Sequence, residues 1–308
     1  MGGSQDFVED PRNERVLALL NGELVPMREA KVSLFDAGFG MGDGVWEGLR
    51  LHRGALLFLE SHLDRLFAGA QQIRVDPQIT REALTEQLVR LLEANAMCDG
   101  AHLRLMLTRG PKQTINQDPR NALGRPTIAC TAEFKMPPAE PARALALRTS
   151  RIRTSGPEIF DMHLNSHSRL NYILALLDVI DEGADEALML DPQGHIASCN
   201  ATNFFWARGE TLFTSGDTYC FNGITRAQVI SLCRDGLMPI RQGDFDPSEL
   251  ESAEEAFVTG TMGGITSVGS IDGRALPKVD GPVTQAIREA YGALKDAYAA
   301  ANPLVPCD

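Results

Sequence analysis

Residues 32–50 read VSLFDAGFGMGDGVWEGLR, a glycine-dense loop that leads into an apolar run. Just before it, residues 17–26 (LALLNGELVP) place an Asn-Gly turn between two apolar runs, which predicts a β-hairpin. Glycine is the usual residue where the backbone takes a positive φ angle, so the loop taken alone indicates only tight turns. We therefore expect a sheet to begin early in the chain.

The rest of the N-terminal half alternates between the periodicities of helices and strands. Apolar residues in 59–67 recur at helical spacing, and residues 80–94 predict a second amphipathic helix. Residues 102–110 and 126–134 alternate apolar and polar side chains, as half-buried strands do. Together these elements predict a small α+β domain in residues 1–136.

A proline-rich stretch divides the chain near its middle. Residues 137–143 break both periodicities, so we predict an interdomain linker there. Beyond it, strands alternate with helices, among them a helix in 168–183 that ends at a glycine. Residues 144–308 are therefore predicted to form a larger α/β domain.

Composition excludes several classes of function. The formal net charge of −12 argues against nucleic acid, whose phosphates are neutralised by clustered Lys and Arg. No apolar run approaches the ~20 residues of a membrane span, and the first residues lack a secretory signal, so a cytoplasmic protein is expected. The six cysteines include no CxxC pair, which favours reduced, mostly buried thiols over a metal site.

Two further glycine loops predict an anion site. Residues 222–226 (NGITR) lead directly into a helix, so the amides of Ile224 and Thr225 would point outward at a positive helix N-terminus. Residues 259–264 (TGTMGG) follow a strand and offer the Thr261 hydroxyl. With one arginine, these two loops would form a cup for a phosphate group.

The order of the motifs resembles the class IV (fold-type IV) aminotransferase family over nearly the whole chain. That family uses pyridoxal phosphate and includes branched-chain and D-amino-acid aminotransferases and aminodeoxychorismate lyase. The resemblance implies a two-domain α/β fold with the active site in the interdomain cleft, and a homodimer whose partner helps to close that site. It is carried by VSLFDAGFGMGDGVWEGLR, LESHLDRL, GADEALMLDPQGHIASCNATNFFW, CFNGITRAQVI and VTGTMGGITSV.

The resemblance assigns four residues to the cofactor phosphate. Arg65 of HLDRL matches the arginine that grips the phosphate, and its planar guanidinium suits an oxyanion. Ile224 and Thr225 match the donors at the helix start. Thr261 matches the donor of the second loop.

Two positions depart from the family in the groups that carry its chemistry. Asn165 stands where the family keeps the lysine that forms a Schiff base and shuttles the proton. A carboxamide is not nucleophilic and does not titrate near neutral pH, so ordinary transamination should be crippled. Ser198 stands where a glutamate keeps the pyridine nitrogen protonated, and serine cannot supply that negative charge.

Four neighbouring side chains are candidates for other chemistry. Arg169 lies four residues past Asn165 and would face the cofactor hydroxyl or a substrate carboxylate. His163, His167 and Cys199 are the candidates for acid–base work, and only histidine titrates naturally near pH 7. His167 also occurs in lysine-bearing members of the pattern, which favours a structural role for it.

Three hypotheses of function follow. The first is a divergent enzyme that acts on a small amino acid-like, phosphorylated or anionic ligand. It would bind pyridoxal or pyridoxamine phosphate only noncovalently, or work without that cofactor. The second is a conventional aminotransferase captured as a Lys-to-Asn variant, which the additional change at Ser198 weighs against. The third is a non-catalytic ligand-binding protein that retains the fold.

Overall fold

The computed structural model describes residues 3–4, 6–136 and 143–307, which divide into two compact units. The first unit takes residues 7–136 and 164–169 and the described residues from 295 on. The second unit takes residues 143–163 and 170–294 and the described residues before 7. The predicted linker lies outside the described residues except for its last position, and the predicted domain bounds stay a prediction.

The first unit is built on a six-stranded sheet within its described residues. The elements are β1 (Leu17–Leu20), β2 (Glu23–Pro26), α1 (Ala37–Met41), β3 (Gly44–His52), β4 (Ala55–Leu56), α2 (Leu59–Gln72), α3 (Arg81–Ala94), β5 (Ala101–Thr108) and β6 (Thr127–Phe134). The strand order is β2-β1-β6-β5-β3-β4, with antiparallel pairing throughout.

One face of this sheet carries the core and the other carries polar groups. On β5 the side chains of Leu103 and Leu105 are buried, whereas those of His102 and Arg104 are half-buried on the opposite face. This is the period-two alternation that the sequence predicts. Helices α2 and α3 cover the apolar face, and α3 begins after Thr80, whose side chain caps the helix by accepting a backbone hydrogen bond at 3.2 Å.

The C-terminal residues close the core of the first unit. The amides of Leu304 and Val305 both donate to Gly54 O, at 2.8 and 3.1 Å. Gly54 has a φ of +81°, and a Cβ there would overlap Val305 O, so the turn requires glycine. Cys98 and Cys307 form a disulfide, and the expectation that all six cysteines are reduced was wrong for this pair. The fold brings together two cysteines that are 209 residues apart, a proximity that spacing does not reveal.

The second unit is built on a nine-stranded sheet in its described part. The strands are β7 (Leu145–Thr149), β8 (Glu186–Leu190), β9 (Ile196–Cys199), β10 (Asn203–Arg208), β11 (Thr211–Ser215), β12 (Ile240–Gly243), β13 (Glu255–Gly260), β14 (Gly264–Ile271) and β15 (Arg274–Ala275). Their order is β12-β11-β10-β13-β14-β7-β8-β9, with β15 paired to β14. The pairs β11–β12, β14–β7 and β7–β8 are parallel, and the others are antiparallel.

Both faces of this sheet are buried in its central strands. Phe204 and Trp206 stack at 5.6 Å on one face of β10, and Phe205 stacks on Phe257 at 5.1 Å on the other. The remaining helices of the described chain are α4 (Leu170–Leu177), α5 (Ile224–Arg234) and α6 (Pro282–Ala301), apart from short 3₁₀ turns. Helix α5 packs against β13. No helix in the described part of the chain is long and apolar enough to cross a membrane.

Three of the differences between the structure and the predicted elements are informative. The glycine loop contains the short helix α1, capped by Asp36, whose side chain accepts from Gly38 N at 2.8 Å. The helix predicted in 168–183 ends at Leu177. The Asp178 carboxylate that follows accepts hydrogen bonds from Ser150 Oγ and Arg151 N in the loop after β7. Strand β11 was not predicted, since its five residues mix polar and apolar types.

We expect the disulfide to stabilise the fold measurably. Replacing both Cys98 and Cys307 by Ser should lower the free energy of unfolding by about 2–4 kcal/mol, because the cross-link restricts the unfolded chain. Denaturant unfolding of the oxidised protein with and without a reducing agent measures this. The double variant should be insensitive to the reducing agent. A wild type that is equally stable in both conditions would contradict the expectation.

Candidate functional site

The eight residues predicted for the site fall into the two units, and each group is described in its own unit. Asn165, Arg169, His167 and Arg65 lie in the first unit. Ser198, Ile224, Thr225 and Thr261 lie in the second unit.

The segment Leu164–Arg169 pairs with the start of β3 in the first unit. Trp46 N donates to Asn165 O at 2.9 Å, and His167 N donates to Gly44 O at 3.0 Å. Such backbone bonds fix the direction of each side chain, because alternate residues point to opposite sides of an extended segment. The segment is thereby held by backbone hydrogen bonds against the start of β3.

The Asn165 carboxamide is buried, and both its nitrogen and its oxygen are hydrogen-bonded. Only 5% of the residue is exposed. Its Nδ2 donates to Trp46 O, and its Oδ1 accepts from Arg169 Nη2. An amide suits this position because it offers a donor and an acceptor together, whereas a lysine ammonium has donors only. Asn165 therefore joins the backbone of β3 to the charged group of Arg169.

Two arginines gather around the Trp46 ring. The guanidinium carbon of Arg104 lies 3.6 Å from the ring centroid, and that of Arg169 lies 5.3 Å from it. Burial lowers the pKa of Arg104, and the charge of Arg169 lowers it further. Two cations held this close favour an anion, since a negative group would relieve their repulsion.

His167 is neutral at physiological pH in this environment. Burial lowers its pKa to about 4, with a further contribution from the positive charge of Arg104. A neutral imidazole accepts a proton or a hydrogen bond rather than donating a second proton. Its Nε2 is buried and makes no hydrogen bond among the described residues. This geometry suits an acceptor, whereas the sequence favoured a purely structural role.

Arg65 is held by a buried carboxylate on the neighbouring strand. Its Nε and Nη2 each lie 2.7 Å from the oxygens of Glu47, and His62 Nδ1 lies 2.7 Å from Glu47 Oε2. Burial opposes the ionisation of Glu47, but the hydrogen bonds from Arg65 and His62 hold its pKa below the ordinary value. The guanidinium thus has a structural role within the unit, and its phosphate role stays a prediction.

Ser198 lies on β9 in a buried polar group of the second unit. Its Oγ donates to Thr202 O at 2.8 Å, and Asn203 Nδ2 approaches it at 3.4 Å. The hydroxyl proton is therefore committed to a backbone carbonyl. Thr202 in turn donates through its Oγ1 to Glu186 at 2.6 Å, and burial raises the pKa of that carboxyl group. Ser198 offers a lone pair and no negative charge.

The first turn of α5 has no side-chain cap among the described residues. The helix begins at Ile224, and Gly223 before it provides no capping side chain among the described residues. The amides at a helix start have no acceptor within the helix, so those of Ile224 and Thr225 are available to an anion. Thr261 is half-buried in the connection between β13 and β14.

Two other candidates from the sequence are poorly placed for acid–base work. His163 Nε2 lies 2.6 Å from Asp217 O and is tied to that carbonyl. Burial raises the pKa of the Cys199 thiol well above its ordinary value, and the charge of Glu186 raises it further. Cys199 is therefore a thiol, and not a thiolate, at neutral pH.

Three of the five lysines are committed to local partners and so give no support to an alternative amine. Lys112 is buried, and its Nζ donates to Asn116 O at 2.6 Å within its own loop. Lys135 and Lys278 form ion pairs with neighbouring glutamates, at 2.9 and 2.5 Å.

Sequence reasoning missed several residues that shape these groups. A lone charge within an otherwise apolar strand is a signal that could have identified Arg104, whereas no local signal marks a tertiary partner. The missed residues are Glu47, Trp46 and Arg104.

Comparisons with known proteins agree with this architecture. The model of the family described as amino-transferase class IV matches residues 44–271. The chain belongs to the class IV aminotransferase family. The branched-chain aminotransferase from the thermophilic archaeon Thermoproteus uzoniensis, solved with norvaline, has a TM-score of 0.84 at 28% identity, and the match covers 94% of this chain and 99% of that one. This likeness confirms the predicted fold-type IV architecture.

Two relatives come from Arabidopsis thaliana. Branched-chain-amino-acid aminotransferase-like protein 2 is 36% identical over 96% of this chain and 55% of its own length. Branched-chain-amino-acid aminotransferase-like protein 1 is 38% identical over 93% of this chain and 52% of its own length. The chain thus spans about half the length of these curated relatives.

Removing the Asn165 amide should destabilise the protein. Asn165→Ala removes the side-chain hydrogen bonds to Trp46 O and to the Arg169 guanidinium, so the free energy of unfolding should fall by about 1–3 kcal/mol. Denaturant unfolding gives the value. Asn302→Ala removes an exposed amide bonded to Tyr298 O and serves as the control, with little expected change. Equal stability of Asn165→Ala and wild type would contradict this role.

Acid should destabilise the protein partly through His167. The unfolded histidine binds a proton near its ordinary pKa, whereas the folded one does so only near a pKa of about 4, so stability falls as pH drops through that window. His167→Gln should therefore show a smaller loss of stability between neutral pH and pH ~4.5. Urea unfolding at several pH values tests this. His163→Gln is the control, and identical slopes for wild type and His167→Gln would refute the effect.

Proposed function

We propose that this protein is a class IV aminotransferase-family enzyme that has left the lysine-based cycle and acts on a small anionic or amino acid-like ligand. The observation that carries the proposal is the Asn165 carboxamide, which is bonded at both ends and belongs to the packed structure of the first unit. The position therefore holds a satisfied structural group, and not a residue poised for nucleophilic attack.

The cofactor part of the proposal is noncovalent binding of pyridoxal or pyridoxamine phosphate. The uncapped start of α5 would hold a phosphate group, with Ile224, Thr225 and Thr261 as its donors. When bound, such a cofactor supplies an electron sink for carbon atoms next to an amino group. Ser198 fits this role poorly, because it offers an acceptor without the charge that keeps a pyridine ring protonated. The alternative within this proposal is another phosphorylated ligand in the same cup.

The first unit supports an anionic ligand group. Arg104 and Arg169 flank the Trp46 ring and would hold a carboxylate by charge-assisted hydrogen bonds. The neutral His167 beside them would accept a proton or a hydrogen bond from the ligand. These residues bind and orient the ligand, and His167 is the group proposed to take a proton.

A homodimer in the cytoplasm completes the proposal. Helix α4 exposes a row of large apolar side chains, with exposures between 44% and 65% at Leu170, Ile173, Leu174 and Leu177. A contiguous apolar row at this spacing is typical of a protein interface. The second copy of the chain is the proposed partner.

A non-catalytic ligand-binding protein is the second candidate function. It is favoured by the satisfied side chains of Asn165 and Ser198, which leave two reactive positions of the family without a titrating group. Tight binding without turnover of any amino donor would support it over the enzyme.

The absence of a covalent link to the cofactor is the central expectation. Wild type incubated with pyridoxal phosphate should show a bound mass under native conditions that is lost on denaturation, and borohydride should trap no adduct. Asn165→Lys should give a trapped adduct at position 165, and Asn165→Gln, the matched control, should not. Native and denaturing mass spectrometry read out both.

Each other outcome has a defined meaning. A trapped adduct on any wild-type side chain would overturn the proposal. No bound mass at saturating pyridoxal phosphate would eliminate the cofactor part. Robust transamination by Asn165→Lys alone would favour the conventional aminotransferase, whereas a further need for Ser198→Glu would indicate deeper divergence.

A further inference from the structure

Tyr291 lies on α6 behind the first turn of α5 in the second unit. Only 5% of the residue is exposed. Its hydroxyl is hydrogen-bonded to the side chain of Thr225, and burial raises its pKa. Thr225 is itself buried. Its hydroxyl is therefore oriented by Tyr291, which lies outside α5.

The ring of Tyr291 also supports the second loop of the proposed cup. A Cβ added to Gly264 would lie 3.7 Å from Tyr291 Cε1, which is ordinary van der Waals contact. Gly264 pairs with Gly260, so residues 261–263 form the connection that carries Thr261. One aromatic side chain is thus bonded to the helix start through its hydroxyl, and its ring lies next to Gly264 at the end of the loop.

A second observation points to a ligand at this place. Thr259 is 2% exposed, and its hydroxyl has no hydrogen-bond partner among the described residues. Thr259 lies opposite Asn203 in the β10–β13 register, on the same face of the sheet. A Cβ at Gly223 would overlap the Asn203 side chain, so this face adjoins the start of α5. An unpaired buried hydroxyl is costly unless something binds it.

We propose that Tyr291 is a positioning residue for a phosphate site at the start of α5, and that Thr259 is a further donor to that site. When Tyr291 donates its proton to Thr225 Oγ1, the Thr225 proton is directed to the bound anion. The ring holds the Thr261 loop at the same time. This inference rests on the phosphate cup of the proposed function, and it names the phosphate monoester as the ligand group that the cup recognises.

Titration calorimetry with two probes tests the proposal. Pyridoxamine 5′-phosphate carries the phosphate, and pyridoxamine is the same molecule without it. Tyr291→Phe keeps the ring and removes the hydroxyl. It should weaken the binding of pyridoxamine 5′-phosphate by about tenfold and leave the affinity for pyridoxamine unchanged. Thr259→Val should likewise weaken the binding of pyridoxamine 5′-phosphate and leave the affinity for pyridoxamine unchanged. Tyr298→Phe, on the same helix but bonded to Leu59 N at 3.1 Å, is the matched control and should bind as wild type does.

A double-mutant cycle separates positioning from general damage to the fold. If Tyr291 acts through Thr225, Tyr291→Phe should cause no further loss in a Thr225→Val protein. Equal weakening of both probes, additive losses in the cycle, or unchanged affinity in Tyr291→Phe would overturn the role of Tyr291. A wild type that shows no preference for the phosphorylated probe would overturn the phosphate cup itself, and with it the cofactor part of the proposed function.

Discussion

One carboxamide determines how the segment 164–169 is built into the first unit. Asn165 donates to the backbone of Trp46 and accepts from Arg169, so one buried amide satisfies a backbone carbonyl and a half-buried cation at once. An ammonium group at this position would offer no acceptor to the guanidinium and would add a second positive charge beside it. Asn165 and Arg169 therefore form a matched hydrogen-bonded pair.

The two units hold different kinds of polar chemistry. The first unit gathers cations around an aromatic ring, with a histidine that burial keeps neutral. The second unit offers hydroxyl and amide donors, and its buried Glu186 has a raised pKa and is bonded to hydroxyl groups. The proposed carboxylate of the ligand thus belongs with the first unit, and the proposed phosphate group with the second.

Local patterns predicted most of the elements, and tertiary contacts account for what they missed. The leucine spacing of α2 and the Thr80 cap of α3 are encoded within a few residues, so both helices follow from the sequence. Motif order also identified the family. Two pairings depend on how strands and termini come together, and no local pattern predicts them. They are the disulfide between Cys98 and Cys307 and the ion pair between Arg65 and Glu47. The same holds for the contact between Tyr291 and Thr225.

The buried Glu47 has a consequence for how divergence in this family is interpreted. Its carboxylate is fully enclosed and is balanced by Arg65 and His62. A neutral residue at position 65 would leave the buried Glu47 carboxylate without its cationic partner. That would destabilise the fold whatever ligand the protein binds. Selection for folding alone would therefore retain this arginine. The fold by itself accounts for an arginine at position 65, so its presence does not by itself identify the ligand.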